Sequence, residues 1–206
     1  MLTAAEYHMR ETLPIHRIQE AIFDFCRHRL DMAVFGAQAV NFYVDQPRMT
    51  QDVDILCTDP SAFSADLARS IGDQFHVAIR VRQLSPGKAY RVFQLRSEGN
   101  RHLADLRLAE FPLTDLVERD GIHYVGLPLL IALKVVALAK RRLAPKGATD
   151  LADLRRMLLS HPNLRHEEGP VADAIHVVGG GQEELRQWRA LVEEKTVCDE
   201  DSDEGY

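Results

Sequence analysis

Hydrophobic and polar positions follow two different periods along the chain, and the period changes near residue 127. Apolar side chains recur every three to four residues over 13–30, which predicts an amphipathic helix. Short apolar runs at 32–35 and 53–56 predict buried strands on either side of a short helix over 37–43. A third helix is expected over 61–71. Three further runs separated by turn residues then predict antiparallel hairpins: 76–83, 89–96 and 102–107.

From residue 127 onward the helical period prevails. Pro128 suits a first helical turn, and a helix is expected over 129–142. The segment 144–147 breaks it, Thr149 caps the next helix, and two shorter helices follow between 167 and 195. We therefore predict an α/β (α+β) fold, with a mixed sheet flanked by helices and a helical C-terminal half. Its expected parts are an α/β core over 1–126, a helical region over 127–197 and a disordered acidic tail over 198–206.

The composition predicts a protein of a reducing compartment. It also predicts no membrane-spanning helix. Its three cysteines form no Cys-x-x-Cys pair, which indicates a cytoplasmic location. The longest apolar stretch contains Lys134 and is too short to cross a bilayer, and no signal peptide is visible. The formal net charge is −6, and the five acidic residues of the tail account for all but one of these charges. The net charge therefore does not argue against a nucleic-acid partner.

Carboxylates carry the clearest chemistry in the sequence. Asp52 and Asp54 are two residues apart on a predicted strand, so their side chains share one face. Two like charges this close are costly unless a cation neutralises them. Asp105, between apolar residues of a later strand, offers a third carboxylate. Three converging carboxylates suit one or two Mg²⁺ ions that orient a triphosphate and activate a hydroxyl. The alternative is a solvated pair at a strand edge.

The order of these elements resembles the nucleotidyltransferase superfamily of the DNA polymerase β type. Its signature is a hydrophobic residue, Gly-Gly or Gly-Ser, about a dozen residues, Asp-x-Asp, and a carboxylate on a later strand. Here Gly36-Ala37, Asp52-Val53-Asp54 and Asp105 hold those positions. The resemblance implies a nucleotidyltransferase sheet with a glycine turn whose backbone N–H groups approach phosphates.

A closer resemblance is to the AbiEii-type abortive-infection nucleotidyltransferases and their relatives. Residues 36–39 read Gly-Ala-Gln-Ala and residues 48–54 read Arg-Met-Thr-Gln-Asp-Val-Asp, similar to two motifs of those proteins. Their Leu-Lys motif is similar to Leu133-Lys134. Their Lys-x-x-x-Asp-x-x-Asp helix is similar to residues 146–153.

The resemblance implies a Mg²⁺-dependent enzyme that moves a nucleoside monophosphate from an NTP to a hydroxyl. With two metal ions, Asp52 and Asp54 would hold both, and Asp105 would complete the catalytic one and help the acceptor hydroxyl lose its proton. The acceptor implied is a tRNA end or a protein, and a bacterial member would act as a toxin with a cognate antitoxin. The remaining implied roles fall in three groups: phosphate binding by Gly36, Ala37, Arg48 and Thr50; charge neutralisation by Lys134; orientation of Lys134 or of the acceptor by Asp150 and Asp153.

Several features keep other interpretations open. Ala37 stands where glycine or serine is usual and offers no hydroxyl to a phosphate, and the spacer before Asp52 is about one residue long for the pattern. The alternative function is therefore a catalytically inactive member that binds a nucleotide or a protein as a regulator. Lys134 could instead be a lysine at the core edge whose head reaches solvent. Asp150 and Asp153 could pair with surface cations.

Overall fold

The computed structural model describes residues 13–194. Its helices and strands run in this order: α1 (Ile15–Cys26), β1 (Met32–Phe35), α2 (Gly36–Tyr43), β2 (Val53–Cys57), α3 (Pro60–Phe75), β3 (Ile79–Ser85), β4 (Ala89–Gln94), β5 (Arg101–Leu108), β6 (Leu116–Arg119), β7 (Ile122–Val125), α4 (Leu127–Arg141), α5 (Pro145–Ser160), a 3₁₀ turn (Pro162–Leu164), α6 (Pro170–Val177) and α7 (Gln182–Glu193). Within these residues, seven strands form one sheet in the order β3-β4-β5-β2-β1-β7-β6. The sheet is mixed, because β2 pairs with β5 and β1 with β7 in parallel while the other pairs are antiparallel. The predicted α/β fold is confirmed.

One face of the sheet carries the hydrophobic core. Alternate residues of β2, namely Val53, Ile55 and Cys57, point into this core, which α1 and α3 cover. The strand period of two therefore directs Asp54 to the opposite face. This places a carboxylate on the face opposite the core, on a strand whose core-facing side is anchored by buried apolar groups.

Contacts between Cα atoms divide the chain into two compact units. Among the described residues, the first comprises 13–42 together with Pro47–Gly126, and the second comprises Tyr43–Gln46 together with 127–194. The second unit is helical, with α4 in contact with α5, α6 and α7. The domain boundaries expected from the sequence stay predictions, because contact units do not establish independent folding. The predicted acidic tail lies outside the described residues.

Two local elements differ from the sequence expectations. Helix α5 begins at Pro145 and not at Thr149, since proline is tolerated in the first helical turn, where no intrahelical N–H bond is needed. The β6–β7 hairpin was not predicted at all. Its two-residue turn, Asp120-Gly121, has positive φ at both positions (55° and 76°), the geometry of a tight hairpin turn. The short, partly polar strands around this turn carry little hydrophobic signal of their own.

Cys26 and Cys57 are buried thiols in the first unit. Burial raises the pKa of each to about 12, so both are protonated at neutral pH. Of the helices in residues 13–194, none combines the length and the apolar character needed to cross a membrane.

Candidate metal and nucleotide site

Strand register brings two of the predicted carboxylates side by side. In the parallel pair of β2 and β5, Asp54 is the Cα partner of Asp105, so both side chains project from the same face. Phe35, the last residue of β1, is the Cα partner of Asp54 on the other side. The turn after β1 and the two aspartates therefore lie in one row across three strands.

A histidine links Asp105 to the third predicted carboxylate. His102 Nδ1 lies 3.1 Å from Asp52 Oδ2, and His102 Nε2 lies 3.0 Å from Asp105 Oδ1. The ligand atoms of these three residues all lie within 4.8 Å of one another, close enough to surround one metal ion. Two carboxylates and an imidazole are suitable donors for a divalent cation, so the residues present fit such an ion.

A β-bulge places His102 in this group. Residues three apart on a regular strand point to opposite faces, so His102 and Asp105 would not meet. The pairing of β4 with β5 shifts here: Val92 is opposite Ala104, whereas Phe93 is opposite His102. One extra residue, Leu103, is thus inserted in β5 and turns His102 to the face of Asp105. Sequence reasoning missed His102, because a period of two assigns it to the wrong face.

Arg91 neutralises Asp105 from the neighbouring strand. Arg91 is the Cα partner of Asp105, and its Nε and Nη2 donate hydrogen bonds of 2.6 and 2.7 Å to the two carboxylate oxygens. Its charge also acts on Asp52 and Asp54. This residue too was missed, because its role follows from cross-strand register and not from a local motif.

These contacts set the charge state of the site. Burial alone would raise the pKa of Asp105, but hydrogen bonds from His102 and Arg91 outweigh it and hold that pKa well below its usual range. The hydrogen bond from His102 also lowers the pKa of Asp52. Burial alone would lower the pKa of His102, yet its bonds to Asp105 and Asp52 raise it to about 9. Without a metal ion, the two carboxylates are therefore ionised and the imidazole is protonated at neutral pH.

Gly36 lies directly against Asp54. Its φ is +66°, and a Cβ built on it would lie 1.9 Å from Asp54 Oδ2. A side chain at this position is therefore excluded both by backbone conformation and by space. Gly36 is also the first residue of α2, so the N–H groups of that helix begin beside the carboxylate. Ala37, the next residue, is buried.

The loop before β2 is fixed by two side chains that sequence reasoning did not single out. Asn41 bonds to the backbone of Arg48 twice, through Nδ2 to the carbonyl oxygen (2.7 Å) and through Oδ1 to the N–H (2.9 Å). Gln19 Nε2 donates to the carbonyl oxygen of Thr50 at 3.1 Å. The Thr50 hydroxyl lies 3.4 Å from Asp52 Oδ1. The predicted residues Arg48 and Thr50 thus belong to a loop whose backbone is held in place as it enters the acidic strand.

In the second unit, the predicted residues Lys134, Asp150 and Asp153 form a buried charged cluster. Lys134 Nζ lies 3.0 Å from Asp150 Oδ1 and 2.8 Å from Asp153 Oδ2. Arg141 Nε donates to Asp150 Oδ2 at 2.7 Å, and Arg156 lies 3.5 Å from Asp153. Because the side chains of all three predicted residues are buried, this cluster is a fixed internal network and not a set of exposed surface pairs.

Comparison with known proteins identifies the fold. No family model matches the chain, and no curated protein sequence matches it significantly. Among solved structures, the chain resembles the Megavirus polyadenylate synthase with a TM-score of 0.59 and 13% identity, over 77% of this chain and 34% of that one. It resembles JHP933 from Helicobacter pylori with a TM-score of 0.50 and 13% identity, over 93% and 92% of the two chains. This chain spans about a third of the polyadenylate synthase. The likeness establishes that the chain shares the α/β fold of these two proteins.

Proposed function

We propose that this chain is a metal-dependent nucleotidyltransferase that moves a nucleoside monophosphate from an NTP to a hydroxyl acceptor and releases pyrophosphate. One observation carries the proposal. On a fold shared with nucleotidyltransferases, the Gly36 turn lies against Asp54, and Asp54 lies in register with Asp105. A glycine turn at a helix start is suited to phosphate, and adjacent carboxylates are suited to divalent cations.

The roles of the chain's own residues follow from their positions. The backbone N–H groups at the start of α2 bind the triphosphate. Because Gly36 has no side chain, the start of this helix can lie directly beside the Asp54 carboxylate. Asp52 and Asp54 hold the metal ions, expected to be two Mg²⁺. Bound cations would supply positive charge to the triphosphate and to the attacking hydroxyl. The two hydrogen bonds from Asn41 fix the backbone of Arg48, and so fix the loop that leads into the strand of Asp54.

Lys134 is expected to neutralise charge on the leaving pyrophosphate, with Asp150 and Asp153 fixing the direction of its ammonium group. Asp105 is expected to complete the catalytic metal site and to receive help from Arg91 in staying ionised. We further propose an AbiEii-type relationship, a tRNA end or a protein as acceptor, a toxin role beside a cognate antitoxin, and a cytoplasmic location.

The second candidate is a catalytically inactive regulator that binds a nucleotide or a protein. Ala37 favours it, because it lacks the hydroxyl that a serine would offer to a phosphate. The double hydrogen bond from Arg91 also favours it, because both oxygens of Asp105 already have a partner. Both candidates predict nucleotide binding, so turnover separates them.

The decisive assay incubates the purified chain with Mg²⁺ or Mn²⁺, each labelled NTP in turn, and either total RNA or lysate protein. We expect label transfer that Asp54→Asn abolishes. The matched control is Asp66→Asn, which removes an exposed carboxylate paired with Arg69 on α3 and should leave transfer unchanged. Nucleotide binding without transfer to any acceptor would favour the regulator instead.

A further inference from the structure

We propose that His102 is a metal ligand, so that the site binds Mn²⁺ in preference to Mg²⁺. In this arrangement His102 Nδ1 releases its proton to solvent and holds the cation together with Asp52. Asp105 orients the imidazole ring from its Nε2 side, in place of the direct metal-ligand role that the sequence predicts for it. The inference rests on the proposed function only in that a divalent cation binds beside Asp52. It goes beyond that function by naming a nitrogen ligand and a metal preference.

The two ring nitrogens face two different carboxylates, which is the geometry of a metal-bound histidine with an outer partner. Nδ1 is directed at Asp52 and Nε2 at Asp105, at 3.1 and 3.0 Å. Histidine ligands characteristically donate their second N–H to a carboxylate, which fixes the ring and raises the basicity of the coordinating nitrogen. Nε2 of His102 therefore has the outer carboxylate partner, Asp105, that a metal-bound histidine needs. Nδ1 lies beside Asp52, with which it can share a cation.

The surroundings determine which nitrogen faces the cation. Asp105 is only 5% exposed, and Arg91 already bonds both of its oxygens, so a positive charge lies on that side. The Asp52 side chain is 30% exposed, and Asp54 shares its strand face. A cation is therefore favoured on the Asp52 side, next to Nδ1, and repelled by the guanidinium on the Asp105 side.

The bulge in β5 indicates that the placement of His102 is specific. Inserting Leu103 interrupts the hydrogen-bonded ladder between β4 and β5, and its visible result is that His102 reaches the acidic face. The ring is also packed against Phe93, with 5.7 Å between ring centroids. A histidine needed only to fill space would not require this departure from regular pairing.

A nitrogen ligand changes which metal ion the site favours. Mg²⁺ prefers oxygen ligands in a strict octahedron and seldom takes imidazole, whereas later divalent metals accept nitrogen and oxygen together. Mn²⁺ accepts carboxylates as well as imidazole, so it suits Asp52 together with His102. We expect the affinity ratio of Mn²⁺ to Mg²⁺ to fall at least about tenfold when His102 is replaced by aspartate, a loss comparable to that of disrupting a metal site's outer shell.

The test measures metal binding and not turnover. Free Mn²⁺ is followed by electron paramagnetic resonance during titration of the full chain, and Mg²⁺ affinity is obtained by competition. Electron spin echo modulation of bound Mn²⁺ then reports directly coordinated nitrogen. We expect ¹⁴N modulation that converts to a ¹⁵N pattern when the protein is labelled with ¹⁵N-histidine, a readout that needs no variant.

Two variants assign the signal. His102→Asp should remove the nitrogen modulation and lower the Mn²⁺ to Mg²⁺ ratio. The matched control, His123→Gln, removes a half-buried histidine of β7 that bonds to the Arg29 carbonyl oxygen, and it should change neither. Bound Mn²⁺ without nitrogen modulation would overturn the proposal and make His102 a charge-neutralising residue. Failure to bind Mn²⁺ at millimolar concentration would also overturn it, whereas label transfer with Mg²⁺ decides the proposed function separately.

Discussion

Replacing Gly36 by alanine introduces a methyl group where the Asp54 carboxylate lies. Two costs add in this variant. An L-residue at φ +66° loses about 1–2 kcal/mol from backbone conformation alone. A Cβ only 1.9 Å from Asp54 Oδ2 must also displace that side chain or the backbone, and forced overpacking costs about 1–3 kcal/mol. We therefore expect Gly36→Ala to lower the free energy of unfolding by about 2–5 kcal/mol and to abolish label transfer.

Gly87 supplies a matched control for the first of these costs. Its φ is +68°, nearly the same as that of Gly36, but a Cβ there would have no heavy atom within 4 Å. Gly87→Ala should therefore show only the backbone cost of about 1–2 kcal/mol. The difference between the two variants, measured by urea denaturation, isolates the contact with Asp54.

A double variant identifies the group responsible. In Asp54→Ala the contacts from Oδ2 and Cγ disappear, and only the Cβ contact at 2.8 Å remains. The cost of Gly36→Ala should thus be smaller in the Asp54→Ala background than in the wild type, since neighbouring sites do not add independently. Equal costs for Gly36→Ala and Gly87→Ala, with transfer retained, would refute the close approach of Gly36 to Asp54.

Three further outcomes are expected elsewhere in the chain. Lys134→Met removes the cation that Asp150 and Asp153 share and leaves them only Arg141 and Arg156, so it should lower the free energy of unfolding by about 1.5–3 kcal/mol in urea denaturation, whereas the exposed Lys140→Met should have little effect. The hydrogen bond from Arg29 holds the pKa of Asp31 below its ordinary 3.8. The stability from this pair is therefore present above pH 3.8 and lost as pH falls through the folded-state pKa; for this partly exposed pair it is on the order of 0.5 kcal/mol. Stability curves of the wild type and Asp31→Asn should differ at pH 7 and converge near pH 2; a constant difference would contradict the assignment. Adding EDTA should leave the thermal midpoint of the wild type unchanged, because protein cations already balance the acidic cluster, and a large drop would show that the fold depends on metal.

The parts of the site that sequence reasoning reached are those encoded by a local period. The spacing of Asp52 and Asp54 predicts a shared strand face, and the apolar residues between and after them indicate which face is buried. Gly36 was identified from its position between a strand and a helix. In each case the relevant geometry is determined within a few residues, so no knowledge of distant partners is needed.

The parts that were missed depend on register between strands. Arg91 reaches Asp105 because β4 pairs with β5 in one alignment, and a shift of one residue would turn its side chain to the core. His102 reaches the site only through the inserted Leu103. Neither pairing nor bulge leaves a local signal, because both are decided by how whole strands pack.

The two missed residues explain how the acidic group can exist in a stable fold before any metal ion binds. Asp52 and Asp105 are ionised, and Asp105 is buried, a combination that is costly when carboxylates are left to repel one another. Arg91 offsets Asp105 through two hydrogen bonds, and the protonated His102 offsets both aspartates at once. The chain thus supplies two cationic side chains, Arg91 and His102, beside the carboxylates that are expected to bind the metal ion. An incoming metal ion replaces the proton on His102 Nδ1, so it exchanges one positive charge for another in a site that is already stable without it.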